Sequence, residues 1–321
     1  MPKLKLIDEK DRKILAELDK NARQTDSEIA KKVGTSKQVV NFRIKNLIEK
    51  GIITNFYTIT DVGKLGLNCY YLFLQLENIN KEQERKILEK INSLEYVGWL
   101  ISGMGRWDAV ILINTKEVSD FEKYLNQIIN ICGNHLHEYI FTTMISAEHL
   151  NYKFLSNENY SIKQTLISKK LELNKKDKKI LDIISQNARI SIVELAEKTK
   201  LPLHVANYHL KNMIKNTTIE GFKPKLNINN LGYQWHLLLI QFKQGSEKRK
   251  SEFINFCKSH KKIYYITSTI GNYNIMLDIH VSSVEEFKEV LLDIKDKFSD
   301  LIRLYESMIV FEEYKISYIP K

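Results

Sequence analysis

The stretch DRKILAELDKNARQTDSEIAKKVGTSKQVVNFRIKNLIEKGII, residues 11–53, returns 166 positions later as DKKILDIISQNARISIVELAEKTKLPLHVANYHLKNMIKNTTI, residues 177–219. The ungapped offset lays Asp11 on Asp177, Asn21 on Asn187, Arg23 on Arg189, Glu28 on Glu194, Asn41 on Asn207 and Lys45 on Lys211. It runs on through Phe56/Phe222, Gly66/Gly232, Gly105/Gly271 and Phe121/Phe287. A register held that long marks a duplicated unit. The period exceeds the roughly 20 to 50 residues of a solenoid repeat, so each copy is a small folded module or pair of modules.

Within the first stretch the apolar spacing is helical. Ile14, Leu15 and Leu18 make one stripe, and Ile29, Ala30 and Val33 a second, closed by Gly34 in the way a glycine after a helix usually does. Ser36 is a good N-cap for a third helix, in which Val40, Ile44, Leu47 and Ile48 recur at core spacing until Gly51 stops it. Three helices with a tight turn before the third form a helix-turn-helix, whose third helix enters a DNA major groove. The face opposite its core stripe carries Gln38, Phe42 and Lys45, flanked by Ser36, Lys37, Asn41, Arg43 and Asn46. Gln and Asn pair bidentately with adenine, and Lys reaches guanine or phosphate. The second copy repeats the plan with Pro202 where Ser36 stands, and offers His204, Asn207, Tyr208, His209, Lys211, Asn212 and Lys215. Ile52 to Thr60 alternates as a short strand or wing beside the first copy's third helix.

After each head the pattern changes to strand, helix, strand, strand, helix, strand. In the first copy these are Tyr70–Leu76, Glu82–Ile91, Tyr96–Ser102, Trp107–Ile113, Val118–Ile131 and His137–Ser146. The second copy agrees from Trp235 to Tyr314. That order is the ferredoxin-like split βαβ arrangement, with helices on one sheet face and the other bare, so sheet-to-sheet pairing is expected. The fold class is therefore α+β in two repeats, each a winged helix-turn-helix followed by a ferredoxin-like βαββαβ domain. The expected divisions are head 1–60, body 61–155, linker 156–173, head 174–226 and body 227–321.

Charge divides along the same lines. The 321 residues carry a net +10, with 43% apolar and 27% charged side chains, as a globular chain does. Lys plus Arg against Asp plus Glu is 13 minus 8 in residues 1–60 and 14 minus 6 in residues 161–230, giving +5 and +8. Residues 61–160 come to 9 minus 13 and residues 231–321 to 13 minus 12. Basic heads on non-basic bodies point to a polyanion at the heads, because Lys and Arg neutralising phosphate supply most nonspecific nucleic-acid affinity; a solvated lysine-rich surface is the plainer reading. Three scattered cysteines suit a reducing compartment, and no leader or membrane-length apolar run is present, so a cytoplasmic protein without a membrane partner is expected.

The head motif of Asp11, Ile14, Leu15, Leu18, Asn21-Ala22-Arg23, Glu28-Ile29-Ala30, Ser36, Ile44, Leu47 and Gly51-Ile52-Ile53, joined to a split βαβ body, resembles the Lrp/AsnC family once in each copy. The resemblance implies a bacterial or archaeal transcription regulator that binds double-stranded DNA. It also implies a body similar to the RAM domain, which dimerises and binds small effectors, often amino acids. Members usually carry one copy per chain; this one resembles two fused subunits, an intramolecular pseudodimer or a component of a homo-oligomer. Their effector turn corresponds to Gly105-Arg106-Trp107-Asp108 and Gly271-Asn272-Tyr273-Asn274, making Gly105, Arg106, Asp108, Gly271 and Asn274 effector candidates. The plainer reading is a hairpin turn whose aspartate is satisfied by backbone N–H groups. Family members often place an arginine where Phe42 stands, so specificity cannot be carried over.

Siroheme decarboxylases resemble the same fold and pair two unlike subunits, so an enzyme is an alternative, as is an architectural module with degenerate heads. No Gly-rich phosphate loop, Ser-His-Asp order or paired carboxylates stand out, and no enzyme, metal or cofactor is expected. His135 and His137 share a strand face without a third ligand and read as surface histidines.

Overall fold

The computed structural model describes residues 7–166, 168–243, 246–317 and 319; the first six residues of the expected first head and the last two of the second body lie outside them. The first head is α1 (Glu9–Lys20), α2 (Asp26–Val33) and α3 (Lys37–Glu49), followed by β1 (Ile53–Thr60). Its helix starts follow the chemistry of their caps. Asp8 and Thr25 each form a reciprocal capping box, and Ser36 Oγ accepts from Val39 N at 3.2 Å. Gly34 and Gly51 take φ of 71° and 64°, left-handed values that end α2 and α3 at little steric cost. The expected core positions are buried except Val33, which is half-buried, and Ile48, which is 45% exposed.

The first body contains β2 (Asn68–Leu76), α4 (Lys81–Asn92), β3 (Val97–Gly105), β4 (Ala109–Thr115), α5 (Val118–Cys132) and β5 (Leu136–Leu150). The expected linker is partly a strand: β6 (Ser161–Thr165) pairs with the far end of β5. The second head is α6 (Lys175–Gln186), α7 (Ile192–Thr199), α8 (Leu203–Lys215) and β7 (Ile219–Leu226). The second body follows as β8 (Gln234–Phe242), α9 (Glu247–Ser259), β9 (Ile263–Gly271), β10 (Ile275–Val281), α10 (Val284–Phe298) and β11 (Ile302–Ile316).

The two bodies join edge to edge at both seams. Strand β3 pairs antiparallel with β11 and β9 with β5, while β5 also pairs with β2. The order β2-β4-β3-β11-β8-β10-β9-β5 therefore closes on itself as an eight-stranded antiparallel barrel with no free edge among those strands. The bare faces expected of each sheet become the barrel interior, filled by Phe73 and Leu239, Val110 and Met276, Met144 and Val310, each pair related by the offset of 166. Helices α4 and α5 cover one half of the outside and α9 and α10 the other. At the end of the barrel away from the heads, Trp107 Nε1 donates to its repeat-mate, Tyr273 Oη, at 2.8 Å. Burying side chains of this size is worth about 1.5–3 kcal/mol each.

The heads also form one unit. Strands β1 and β7 pair antiparallel, with Tyr57 opposite Lys223, its own repeat-mate, so the pseudo-twofold axis passes between them. The strand expected as a wing beside α3 is thus a bridge between copies. Each head grips the other by an arginine. Arg23 donates to the carbonyls of Ala188 and Ile190 at 2.6 and 3.0 Å, and Arg189 to those of Ala22 and Gln24 at 2.5 and 3.0 Å. Each guanidinium lies over the phenyl ring of the opposite strand, Phe222 or Phe56.

Candidate nucleic-acid interface and inter-copy cavity

The third helices meet solvent with most of the side chains expected there. Lys37, Gln38, Asn41, Phe42 and Lys45 are exposed on α3 behind the capping Ser36, as are His204, Tyr208, Lys211 and Lys215 on α8. Phe42 and Tyr208, at 69% and 62% exposed, stand out from the heads instead of packing between the copies. Asn46, Asn207 and Asn212 are half-buried. Asn41 Nδ2 donates to Asp26 at 2.9 Å, and Asp26 in turn pairs with Arg189 of the other head at 2.8 Å.

Two of the side chains expected at DNA are engaged within the heads. Arg43 is held against Asp8 and Asp11 at 2.7 and 2.8 Å, and its repeat-mate His209 bonds Asp177 at 2.7 Å. Asp11 and Asp177 are themselves repeat-mates. These side chains clamp α3 and α8 to the first helix of their own head, and their donors point inward.

At the effector turns the structure shows the plainer arrangement, a hairpin whose side-chain oxygen is satisfied by a backbone N–H. Asp108 Oδ2 accepts from Leu76 N at 2.7 Å, and Asn274 Oδ1 does the same for Phe242 N at 2.8 Å. Both anchor the neighbouring strand, a task that needs an oxygen and no charge, which is why Asn substitutes for Asp. Gly105 and Gly271 sit in the two seams. A Cβ on Gly105 would stand 2.4 Å from Ser307 O, so close backbone approach accounts for that glycine, while Gly271 takes a φ of 133° that side-chain-bearing residues rarely adopt. Arg106 pairs with Glu306 at 2.6 Å and lies over Trp107. His135 and His137 bond Glu77, and among the described residues no group of three potential ligands gathers to hold a metal.

Sequence reasoning missed a cavity at the head-proximal end of the barrel, between the sheet interior and the β1–β7 bridge. Tyr57, Tyr71, Trp99, Trp235, Tyr264 and Tyr265 supply aromatic walls, and Asp278, Glu313, Lys225 and His280 supply polar groups. Glu313 accepts from Trp99 Nε1 at 2.7 Å and pairs with Lys225 at 3.0 Å. Asp278 accepts from Trp235 Nε1 at 2.6 Å. Burial, helped by the Glu313 charge, pushes the Asp278 carboxyl up to about 7 despite that hydrogen bond. His149 and His280, both buried, are pulled down to about 3, chiefly by desolvation, and so are neutral.

Beside the cavity lies a fully buried ion pair. Lys223 Nζ donates to Asp19 at 2.6 Å and to Leu150 O at 2.9 Å, with the rings of Tyr152, Tyr160 and Tyr264 5.4 to 5.8 Å away. Asp19 also accepts from Tyr152 N at 2.9 Å and Tyr160 Oη at 2.5 Å. Burial lowers the Lys223 pKa and the Asp19 carboxylate opposes that. The pair ties α1 of one head to the strand of the other and to the end of the first body. Neither residue stands out in the sequence, since Asp19 opens a polar stretch and Lys223 lies in a mixed one, and only the fold brings them together.

These features define a class: a single-chain pseudodimer with two helix-turn-helix heads on a closed α+β barrel. A winged helix-turn-helix DNA-binding model matches residues 7–54 and 173–216. The chain is 36% identical over 126 residues to the transcriptional regulator AzlB of Bacillus subtilis, covering 39% of this chain and 78% of that one. It is 33% identical to the regulator LrpA of Pyrococcus horikoshii, covering 40% and 90%. The chain belongs to the Lrp/AsnC family of helix-turn-helix transcriptional regulators. Along its whole length the fold is similar to the siroheme decarboxylase NirDL, with a TM-score of 0.63 and 14% identity, covering 98% of this chain and 94% of that one. That likeness shows the fold alone, yet it corrects the expectation of a non-enzymatic protein: this tandem arrangement is one that an enzyme uses. Among the described residues no helix is long and apolar enough to cross a membrane.

Proposed function

We propose that the chain is a sequence-specific regulator that reads two unlike half-sites of double-stranded DNA with its two unlike recognition helices. The observation that carries this reading is the fusion of the heads through β1–β7 and the reciprocal arginines, which leaves the outer faces of α3 and α8 exposed on one unit. Gln38 stands where His204 does and Phe42 where Tyr208 does, so the half-sites differ in sequence. Helices in a covalent pair reach successive major grooves about 34 Å apart. A small effector belongs to the proposal; the engagement of Asp108 with Leu76 N–H and of Asn274 with Phe242 N–H speaks against the Gly105–Asp108 and Gly271–Asn274 turns as its seat. The protein works in the compartment that holds the chromosome. Titration against duplex DNA at two salt concentrations tests the reading: the expected result is binding whose affinity falls steeply with salt, and absence of binding at low salt overturns it.

A second reading is chemistry on a tetrapyrrole. The end-to-end likeness to NirDL favours it, as does the gathering of Asp278, His149 and His280 at an internal cavity. The free space there is about 70 Å³, room for roughly five waters, so a macrocycle requires the barrel mouth to open. A visible absorption band that co-purifies with the chain, or appears on adding siroheme, tests it.

A further inference from the structure

The head-proximal cavity is built from both copies, but its charge comes from one. At the positions of Asp278, Glu313 and Lys225, the first copy has Leu112, Ala147 and Ile59. Those three are buried without difficulty, so the fold accepts apolar residues at such sites and does not call for carboxylates. Placing carboxylates inside a barrel costs several kcal/mol per ion unless each is paired. Glu313 has Lys225 as its partner. Asp278 has only the indole N–H of Trp235, and among the described residues no Lys or Arg forms an ion pair with it. The lining therefore has two carboxyl groups to one ammonium, enclosed by the rings of five tyrosines and two tryptophans.

Aromatic walls with one carboxyl that has no cationic partner, and that a bound cation would hold ionised, make a receptor for an organic cation, held by the ring faces and the carboxylate together. We propose that this cavity binds a small amine, a primary or methylated ammonium of about four or five heavy atoms. The size follows from the 70 Å³ of free space. A zwitterionic amino acid is disfavoured, because its carboxylate would face Asp278 and Glu313 while Lys225 is already engaged. Tyr57 of β1 and Lys225 of β7 line the same space as Trp99 and Asp278 of the barrel, so an occupant touches both heads' bridge strands and both bodies. The inference rests on the regulator reading only for its consequence, since binding is read without DNA.

The test uses the full chain, with trimethylammonium chloride as probe, tert-butanol as a neutral branched counterpart one heavy atom larger, and sodium chloride to match ionic strength. Trp99 and Trp235 line the cavity, so tryptophan fluorescence and calorimetry report occupancy. The expected result is saturable binding of trimethylammonium at least tenfold tighter than tert-butanol, and an Asp278→Asn variant that loses at least tenfold in ammonium affinity while keeping its affinity for the alcohol. Asn keeps the acceptor for Trp235. Equal affinity for the alcohol and the ammonium in the unaltered chain overturns the proposal without relying on any variant's folding. So does unchanged ammonium affinity in a folded Asp278→Asn chain. Either outcome leaves the DNA-binding reading standing, because that depends on the salt titration alone.

Discussion

The two halves of the barrel follow one backbone plan and treat their interiors differently. The first copy's strands turn Cys69, Leu112 and Ala147 to positions where the second copy has Trp235, Asp278 and Glu313. The heads show the same division. Asp19 anchors a buried network in one, while its counterpart Ser185 only bonds the carbonyl of Asp182 in its own helix at 2.7 Å. Backbone-directed residues, by contrast, match in both copies: Arg23 and Arg189 at the heads, Gly105 and Gly271 in the seams, and Asp108 and Asn274 on neighbouring strands. Symmetry is kept where the assembly of two halves depends on it. It is lost where a side chain faces an internal space that one copy can furnish alone.

The largest effect expected from this difference is on stability. Asp19→Ala leaves Lys223 buried without its counter-charge, and removing one partner of a buried pair costs about 3–5 kcal/mol. Ser185→Ala at the equivalent site in the other head should change stability by no more than about 0.5 kcal/mol. Urea unfolding of the two variants checks the contrast. Adding Lys223→Tyr, the first copy's own residue at that position, to Asp19→Ala should recover a large part of the loss, because it removes the stranded charge. If Asp19→Ala costs no more than Ser185→Ala, the network is not what fastens the heads to the barrel.

Next in size come the two recognition helices. Gln38→Ala should relax base preference by roughly 1–3 kcal/mol at one position of one half-site, and His204→Ala should act only on the other half-site. Lys45→Ala and Lys211→Ala should weaken binding across all sequences and each lower the salt slope by about one. Binding to duplexes with either half-site scrambled separates the cases. Equal weakening on every duplex by all four variants would remove base readout from these helices. Arg43→Ala is the control: its guanidinium is committed to Asp8 and Asp11, so its loss should appear as head instability before any change in preference.

Most of the fold was legible because helices and strands of both copies repeat their apolar periods, and the capping residues Thr25, Ser36 and Gly34 stand where local chemistry needs them. The exposed faces of α3 and α8 followed from the same periods. Arg43 and His209 did not, because an ion pair to a carboxylate more than thirty residues earlier is a tertiary fact. Asp108 had two readings open, since a turn carboxylate looks alike whether it awaits a ligand or holds a strand. The cavity was hidden for a different reason. Asp278 and His280 sit in the run Ile-Met-Leu-Asp-Ile-His-Val, which reads as an ordinary strand until barrel closure turns both residues toward Tyr57 and Trp99. Comparing the two copies position by position was the available signal, and it needed attention to the differences.

The smallest effect is in the pH dependence, and it too divides the copies. Burial holds His149, His236 and His280 at about 3, 4 and 3, below the 6.5 of an unfolded histidine. A lowered folded pKa means that the unfolded chain takes up more protons, so these three favour folding above pH 6.5 and lose that advantage as pH falls. Asp278 works the other way. Raised to about 7 from 3.8, it favours folding fully below that lower value and loses the contribution as pH rises to 7. Between pH 4 and 6.5 these three histidines, joined by His260, which burial also lowers, oppose Asp278 and the raised carboxyls of Glu84 and Glu220, and the melting temperature should rise with pH. Asp278→Asn removes one opposing group, so the rise should become steeper and the variant should be more stable than the parent above pH 7. His280→Asn, which installs the residue of the first copy's Asn114, should flatten the rise. Both sites lie in the second copy, so a pH response that survives unaltered in both variants would place its origin at groups other than Asp278 and His280.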